Sequence, residues 1–303
     1  MSLQTLVDYF NDRFEQEHRS HYRRPFILES GLVSGLFGPI RIGPIRISSA
    51  FAPLYEISSR AQLIGHVSAC SVSAYDDDFQ RGKIVDCSNL LTDVIKQPVD
   101  FQSIINIDRL CRTVHLLNAL AIRQAGEILM LDVDPRHILG IKQDHGAYFE
   151  EIAVKCGLET KHIAISMTVN NFYALHHTRL LEGLNNYRQR GYQIALNVGH
   201  LYAAHGVTGL VTKLSPDYLR VIAPENNGRG YAGAESQRLD ALKTLIGGIG
   251  GRIIVQQQNP EEQAPIAAMP GFDLVQGGYY DNRPDGAPHR LHLPSESPVA
   301  ITP

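Results

Sequence analysis

Cysteine is scarce in this chain of 303 residues, with four in all: Cys70, Cys87, Cys111 and Cys156. Their separations leave no Cys-x-x-Cys pair, which excludes the common zinc and dithiol motifs and reads as reduced thiols in a cytosolic protein. No run approaches the roughly 18 unbroken apolar residues of a membrane span, and the N-terminus lacks the apolar centre of a signal peptide. An excess of one charge is missing too. Lys and Arg total 28 against 31 Asp and Glu, a net −3, so no basic footprint for nucleic acid or an anionic membrane is present. What is there, 44% hydrophobic and 19% charged residues, is the composition of an ordered globular protein. The length supports one large domain or two modest ones. The expectation is a soluble cytoplasmic protein that binds neither nucleic acid nor membrane.

Leu3, Leu6, Val7, Phe10 and Phe14 recur at helical spacing and predict an N-terminal amphipathic helix ended by Pro25. The echo Gly-Pro-Ile-Arg-Ile at 38–42 and 43–47 reads as a turn-rich approach to a first strand. Short apolar or β-branched runs then follow near 47–55, 64–74, 127–133, 162–168, 192–198, 217–222, 252–257 and 272–277. Helical stripes lie between several of them: Ile107, Leu110, Val114, Leu117 and Ala121; Phe172, Leu175, Leu180, Leu184 and Tyr187; and Leu239, Leu242 and Leu245–Ile246. Alternating strands and helices imply crossover connections and a largely parallel sheet. Eight runs fit a closed α/β barrel, typically about 250 residues; a doubly wound open sheet is the other arrangement. Beyond Pro284 the prolines at 288, 294, 298 and 303 predict an extended tail.

Gly247-Gly248-Ile249-Gly250-Gly251 follows a helical stripe and precedes Ile253-Ile254-Val255. That order suits a helix end and turn rather than a phosphate cradle, which needs glycines ahead of a helix. His176-His177 point to different helix faces, His289 and His292 lie in the tail, and Asp76-Asp77-Asp78 lacks the spacing of a calcium loop, so no metal site is expected from them. In an α/β barrel the chemistry collects at the C-terminal ends of the strands. Here those ends read Val67-Ser68, Asp132, Ser166, Asn197-Val198, Arg220, Gln256 and Gln276. One carboxylate beside one permanent cation cannot hold two hard divalent ions, and amides are poor acids and bases near neutrality.

Several segments, in order, resemble the EAL domains of bacterial cyclic di-GMP phosphodiesterases. Phe51-Ala-Pro-Leu54 resembles the family's "yQPiv", Leu131-Asp-Val-Asp-Pro135 its "vNvsp", and Tyr187-Arg-Gln-Arg-Gly-Tyr-Gln-Ile-Ala-Leu196 its "Lr..G..iAlDDFG". Leu214-Ser-Pro-Asp-Tyr-Leu-Arg-Val221 looks like "lpvDylKiD", and Gly271-Phe-Asp-Leu-Val-Gln-Gly-Gly-Tyr-Tyr280 with Pro284 like "G.d..QGyyf..P". The resemblance implies a modified eight-stranded barrel with an antiparallel first strand over 47–284. A helical extension at 1–46 precedes it and a tail at 285–303 follows.

The departures fall on the chemistry. The signature glutamate of Glu-Ala-Leu aligns with Val67, and the following arginine with Ser71. The metal-binding asparagine aligns with Asp132, the "EiTE" glutamates with Ser166 and Val169, and the paired aspartates with Asn197 and Val198. The Phe-Gly after them becomes Gly199-His200. The lysine becomes Arg220, the aspartate of "KiD" Ile222, and the candidate general base Gln256. The nucleotide-contacting glutamine becomes Ala52, while Gln276 is kept. These replacements imply a non-catalytic member that has lost the family's magnesium or manganese site and works through a protein partner, a second copy of the chain included. A cyclic di-GMP receptor without hydrolysis is the alternative, with Arg220, Asp132 and Gln276 as its ligand residues; a residual phosphodiesterase comes third. Arg220, deprived of a lysine's metal-site role, is expected to pair with Asp132.

Overall fold

A computed structural model describes residues 1–17, 22–40, 43–57, 62–74, 101–141, 144–169, 175–199, 206–222, 234–256 and 271–277. Asp76–Asp78, Cys87, Phe172, His200, Pro284, His289, His292 and the 285–303 tail lie outside these residues.

The strands follow the apolar runs: β1 (Phe26–Glu29), β2 (Leu32–Ile40), β3 (Gly43–Glu56), β4 (Leu63–Ala74), β5 (Ile128–Val133), β6 (Ile163–Thr168), β7 (Gln193–Gly199), β8 (Tyr218–Ile222), β9 (Arg252–Gln256) and β10 (Leu274–Gln276). The described helices are α1 (Leu3–Glu17), α2 (Phe101–Ala119), α3 (Pro135–Gly140), α4 (Ala147–Lys155), α5 (His177–Gln189), α6 (Val207–Leu214) and α7 (Ala234–Gly248).

From β4 through β10, each strand pairs in parallel with the next. β3 closes the ring, antiparallel to both β10 and β4. The result is an eight-stranded mixed barrel, not an open sheet. Parallel strands covered by helices outside and filled within are buried on both faces, which accounts for uninterrupted apolar runs such as Ile163-Ala-Ile-Ser-Met167. The main core lies between strands and helices, while eight residues fill the lumen, one from each barrel strand: Leu54, Val67, Met130, Ala164, Ala195, Tyr218, Ile254 and Leu274.

The motif aspartates of the C-terminal half act at the opposite end from the strand C-termini. Asp217, just before β8, accepts the Ile194 N–H of β7 at 2.8 Å. Asp273, just before β10, accepts the Ile253 N–H of β9 at 2.8 Å. Each carboxylate thus satisfies an N–H near the start of the preceding strand, the same role a capping residue plays on a helix.

Three local expectations need correction. The echo at 38–47 is not a turn-rich approach: its described residues end β2 and begin β3, and residues 26–40 form a hairpin, β1 antiparallel to β2, with Ser30 and Gly31, both at positive φ, making its turn. β2 then pairs with the first half of β3, so the extension is helix plus hairpin and the barrel's first strand begins at Gly43. Ala121 falls beyond the end of α2. Leu175 precedes α5 and is 96% exposed, so it takes no part in that helix's apolar stripe. The N-terminal helix does form, with Leu6, Val7, Phe10 and Phe14 buried. Its Phe14 ring packs edge-on against Phe26 of β1 at 5.5 Å, so that face is covered by the chain itself. The Gly247–Gly251 segment ends α7, with Gly250 at φ +78° and the Gly251 N–H returning to the Ile246 carbonyl at 2.9 Å.

Candidate functional site

Side chains two residues apart on a strand share a face. Met130, Ala164, Ala195, Tyr218, Ile254 and Leu274 fill the lumen, so the residues two further on, Asp132, Ser166, Asn197, Arg220, Gln256 and Gln276, form a polar layer directly above them at the strand C-termini. Six of the eight residues expected at the site therefore meet at the mouth.

Two do not. Val67 belongs to the apolar filling layer, 3% exposed, and the next residue on its face is the exposed Ala69. Its neighbour Ser68 is buried and donates to the Met130 carbonyl at 3.0 Å. Val198 faces outward into the main core. There β7 slips register against β8 between Asn197 and Gly199, and Gly199 takes φ +53° while its N–H returns to Asn197 Oδ1 at 3.1 Å. A local bulge of this kind reassigns which side chain looks inward.

The layer is organised around Arg220. Its guanidinium crosses the lumen from β8 and is 4% exposed as a side chain. Nη1 donates to Asp132 Oδ1 at 2.9 Å and to Ser166 Oγ at 2.8 Å. Nε and Nη2 both donate to Gln276 Oε1, at 3.2 and 3.1 Å. Four hydrogen bonds thus occupy most of the five N–H donors of a guanidinium. The expected pair with Asp132 is present, and that carboxylate remains half exposed on its outer side. Beside it lies a neutral chain: Gln256 Nε2 donates to Asn197 Oδ1 at 2.8 Å, and Asn197 Nδ2 reaches Thr168 Oγ1 at 3.4 Å. Thr168 escaped the sequence reading, although it pairs with Asn197 across β6 and β7 and ends its strand at the mouth.

A second polar group sits just behind β5. Asp108 of α2 is buried against Arg112, and His137 Nδ1 approaches its carboxylate at 2.9 Å. The Asp134 N–H also donates to it at 3.1 Å. Burial would raise the Asp108 pKa, but the Arg112 charge and then His137 outweigh it and hold the carboxyl far below its ordinary range. Burial lowers the pKa of His137 more than Asp108 raises it.

No protein-family model matches the sequence, and no curated protein does. Solved structures do match in fold. A Bacillus subtilis protein with an EAL domain, YkuI, in complex with substrate cyclic di-GMP and calcium, aligns at TM-score 0.56 and 17% identity over 77% of this chain and 53% of its own. Klebsiella pneumoniae BlrP1, in a calcium and cyclic di-GMP complex, aligns at TM-score 0.59 and 13% identity over 81% and 58%. The Xanthomonas citri FimX EAL domain in complex with cyclic di-GMP aligns at TM-score 0.56 and 11% identity over 91% and 92%. This chain therefore spans little more than half the length of the first two and nearly the whole of the third. At these identities the likeness establishes the fold, an EAL-like barrel.

Proposed function

We propose that this chain is a non-catalytic EAL-like signalling protein, acting in cyclic di-GMP-related regulation through contact with a protein partner rather than by hydrolysis. The observation that carries the reading is the Arg220 guanidinium, bonded at once to Asp132, Ser166 and Gln276 across the barrel mouth. A pair of magnesium or manganese ions needs several carboxylate oxygens to replace lost hydration and balance charge. Among the described residues the polar layer offers one carboxylate, and a buried cation already engages it. Those residues do not fit such ions.

General-base chemistry is equally unsupported. Gln256 uses its amide N–H on Asn197, and an amide has no useful basicity near neutral pH. Glutamine and asparagine at these positions keep the outline of acids while lacking their charge. Loss of one member of a catalytic unit commonly removes several powers of ten in rate, and the family resemblance implies that here the set is replaced together.

The three proteins named above were captured with cyclic di-GMP, which motivates the second reading, a receptor that binds the dinucleotide without cleaving it. The engaged guanidinium argues against it, because a phosphate could take more than one Arg220 N–H only by displacing Asp132, Ser166 or Gln276. Purified protein given cyclic di-GMP with magnesium or manganese is expected to release no linear dinucleotide and to give a flat calorimetric titration. Metal-dependent turnover would overturn the proposal. Saturable heat without turnover would transfer it to the receptor reading.

A further inference from the structure

Between β4 and α2, bordering the Arg220 network at Asp132, lies a cavity of about 250 Å³ whose lining includes Cys70, Cys111, His115 and Ile107. Cys70 Sγ is 3.3 Å from His115 Nε2. The other ring nitrogen, Nδ1, is 2.8 Å from Ser49 Oγ on β3, and that hydroxyl also accepts an N–H from Asn118 at 3.1 Å. The imidazole is thereby fixed with one nitrogen aimed at the sulfur. Cys111, four residues before His115 on α2 and so on the same helix face, lines the same cavity as Cys70. Cys70 itself is part-exposed.

These contacts divide the labour between two thiols. The Cys111 thiol beside it, with His115, outweighs burial and brings the Cys70 thiol down to about 5. The Cys70 neighbour and burial push Cys111 well up. The other charged groups facing the pair are Asp132 at the end of β5, engaged by Arg220, and Asp108 and Arg112 on α2, engaged with each other. Among the described residues Cys156 has no such partners, and burial raises it to about 12.

We propose that Cys70 is an oxidation site for small hydroperoxides, with Cys111 as its resolving thiol and His115 as the positioning residue. The Cys70 thiolate attacks one peroxide oxygen, the O–O bond breaks, and the departing oxygen leaves as an alcohol or water, taking up the proton that the Cys70 thiol gave up. Sulfur is oxidised to the sulfenic acid as the peroxide is reduced. The Cys111 sulfur then attacks Cys70, the S–O bond breaks, and the Cys111 proton leaves with the hydroxyl as water. The sum is two thiols and one hydroperoxide giving one disulfide, one alcohol or water, and one further water. The product ties the edge of the barrel mouth to α2.

The test uses the reduced full-length protein. Exposure to hydrogen peroxide, blocking of free thiols and peptide mass spectrometry should yield a Cys70–Cys111 cross-link two hydrogens lighter, with Cys156 still free. Cys111→Ser should stop at a sulfenic acid on Cys70 that dimedone traps. Wild-type protein supplies an independent reading through its alkylation rate by iodoacetamide as pH varies. A thiol titrating near 5 loses intrinsic nucleophilicity but gains thiolate, so at pH 6 Cys70 should react about tenfold faster than free cysteine. His115→Gln should move the midpoint of that profile upward. A wild-type midpoint at pH 8 or above, a peroxide cross-link that joins Cys70 to Cys87, or peroxide exposure that leaves both Cys70 and Cys111 free, would overturn the assignment.

Discussion

Asn118 on α2 bonds to Val33 on β2 as a neighbouring strand would, its Oδ1 accepting the Val33 N–H at 2.7 Å and its Nδ2 donating to the Val33 carbonyl at 2.7 Å. Asn11 on α1 does the same for Phe26 on β1, at 2.8 and 2.9 Å. Two side-chain amides thus stand in for the missing strand partners of the hairpin. Replacing Asn118 by Leu strands a buried donor and acceptor, at a cost of about 2–4 kcal/mol. Urea unfolding should show the loss as a lower midpoint; an unchanged midpoint would show that the hairpin rests on apolar packing alone.

The Arg220–Asp132 pair is asymmetric in burial, and its two halves should respond differently to truncation. Arg220→Met removes a buried charge and leaves Asp132 facing water, a change expected within about 1 kcal/mol of neutral. Asp132→Ala leaves the guanidinium buried with only neutral acceptors and should cost about 1–2 kcal/mol more than Arg220→Met. Thermal unfolding of the two variants side by side reads the order. The reverse order would mean that the arginine's reach across the lumen contributes more than its charge takes away.

Acid should weaken the fold in two stages. His137 has a folded pKa below its unfolded one, so its contribution is present above about pH 6.5 and falls away as pH drops through that range. Asp108 has a folded pKa far below its unfolded value near 3.8, so its contribution holds above that value and declines below it. The Tm of the wild type should therefore fall from pH 7 to 5 and again below pH 4. Asp108→Asn should be less stable at pH 7 and lose the second decline. A wild-type Tm that is level from pH 7 to 5 would count against the His137 stage.

Two glycines should answer alanine in opposite directions. At Gly65 of β4 a Cβ would sit 2.0 Å from the backbone oxygen of Ile128, which cannot step aside without breaking the β4–β5 pairing. Gly65→Ala is expected to cost about 3 kcal/mol or prevent folding. At Gly209 in α6 nothing lies within 4 Å of the added methyl, and Gly209→Ala should stabilise by about 0.5–1 kcal/mol. Denaturant midpoints of the two variants give both signs directly.

The eight barrel strands were legible because strands buried on both faces demand continuous apolar runs, and each such run became a strand. The hairpin at 26–40 was not, since its glycines and Pro39 weaken any strand pattern and its stability comes from the distant Asn118 and Asn11. Arg220–Asp132 could be anticipated from charge alone: one cation and one carboxylate at neighbouring strand ends have few other choices. The misplacement of Val67 and Val198 came from facing, not from order. A matching motif fixes sequence position, whereas the bulge at Asn197–Gly199 and the filling layer at Val67 decide which way a side chain looks. The Cys70–His115 contact joins residues 45 positions apart through the β4–α2 packing, and nothing in their spacing announces it.

β3 is shared property. Its first half is the inner edge of the N-terminal hairpin, and its second half closes the ring between β10 and β4. Removing the hairpin as a detachable module would therefore fray the seam that makes the cylinder continuous. The amides of Ile45 and Ile47 should accordingly exchange with solvent deuterium on the same slow timescale as those deep in the cylinder wall, with the whole assembly opening as one cooperative unit.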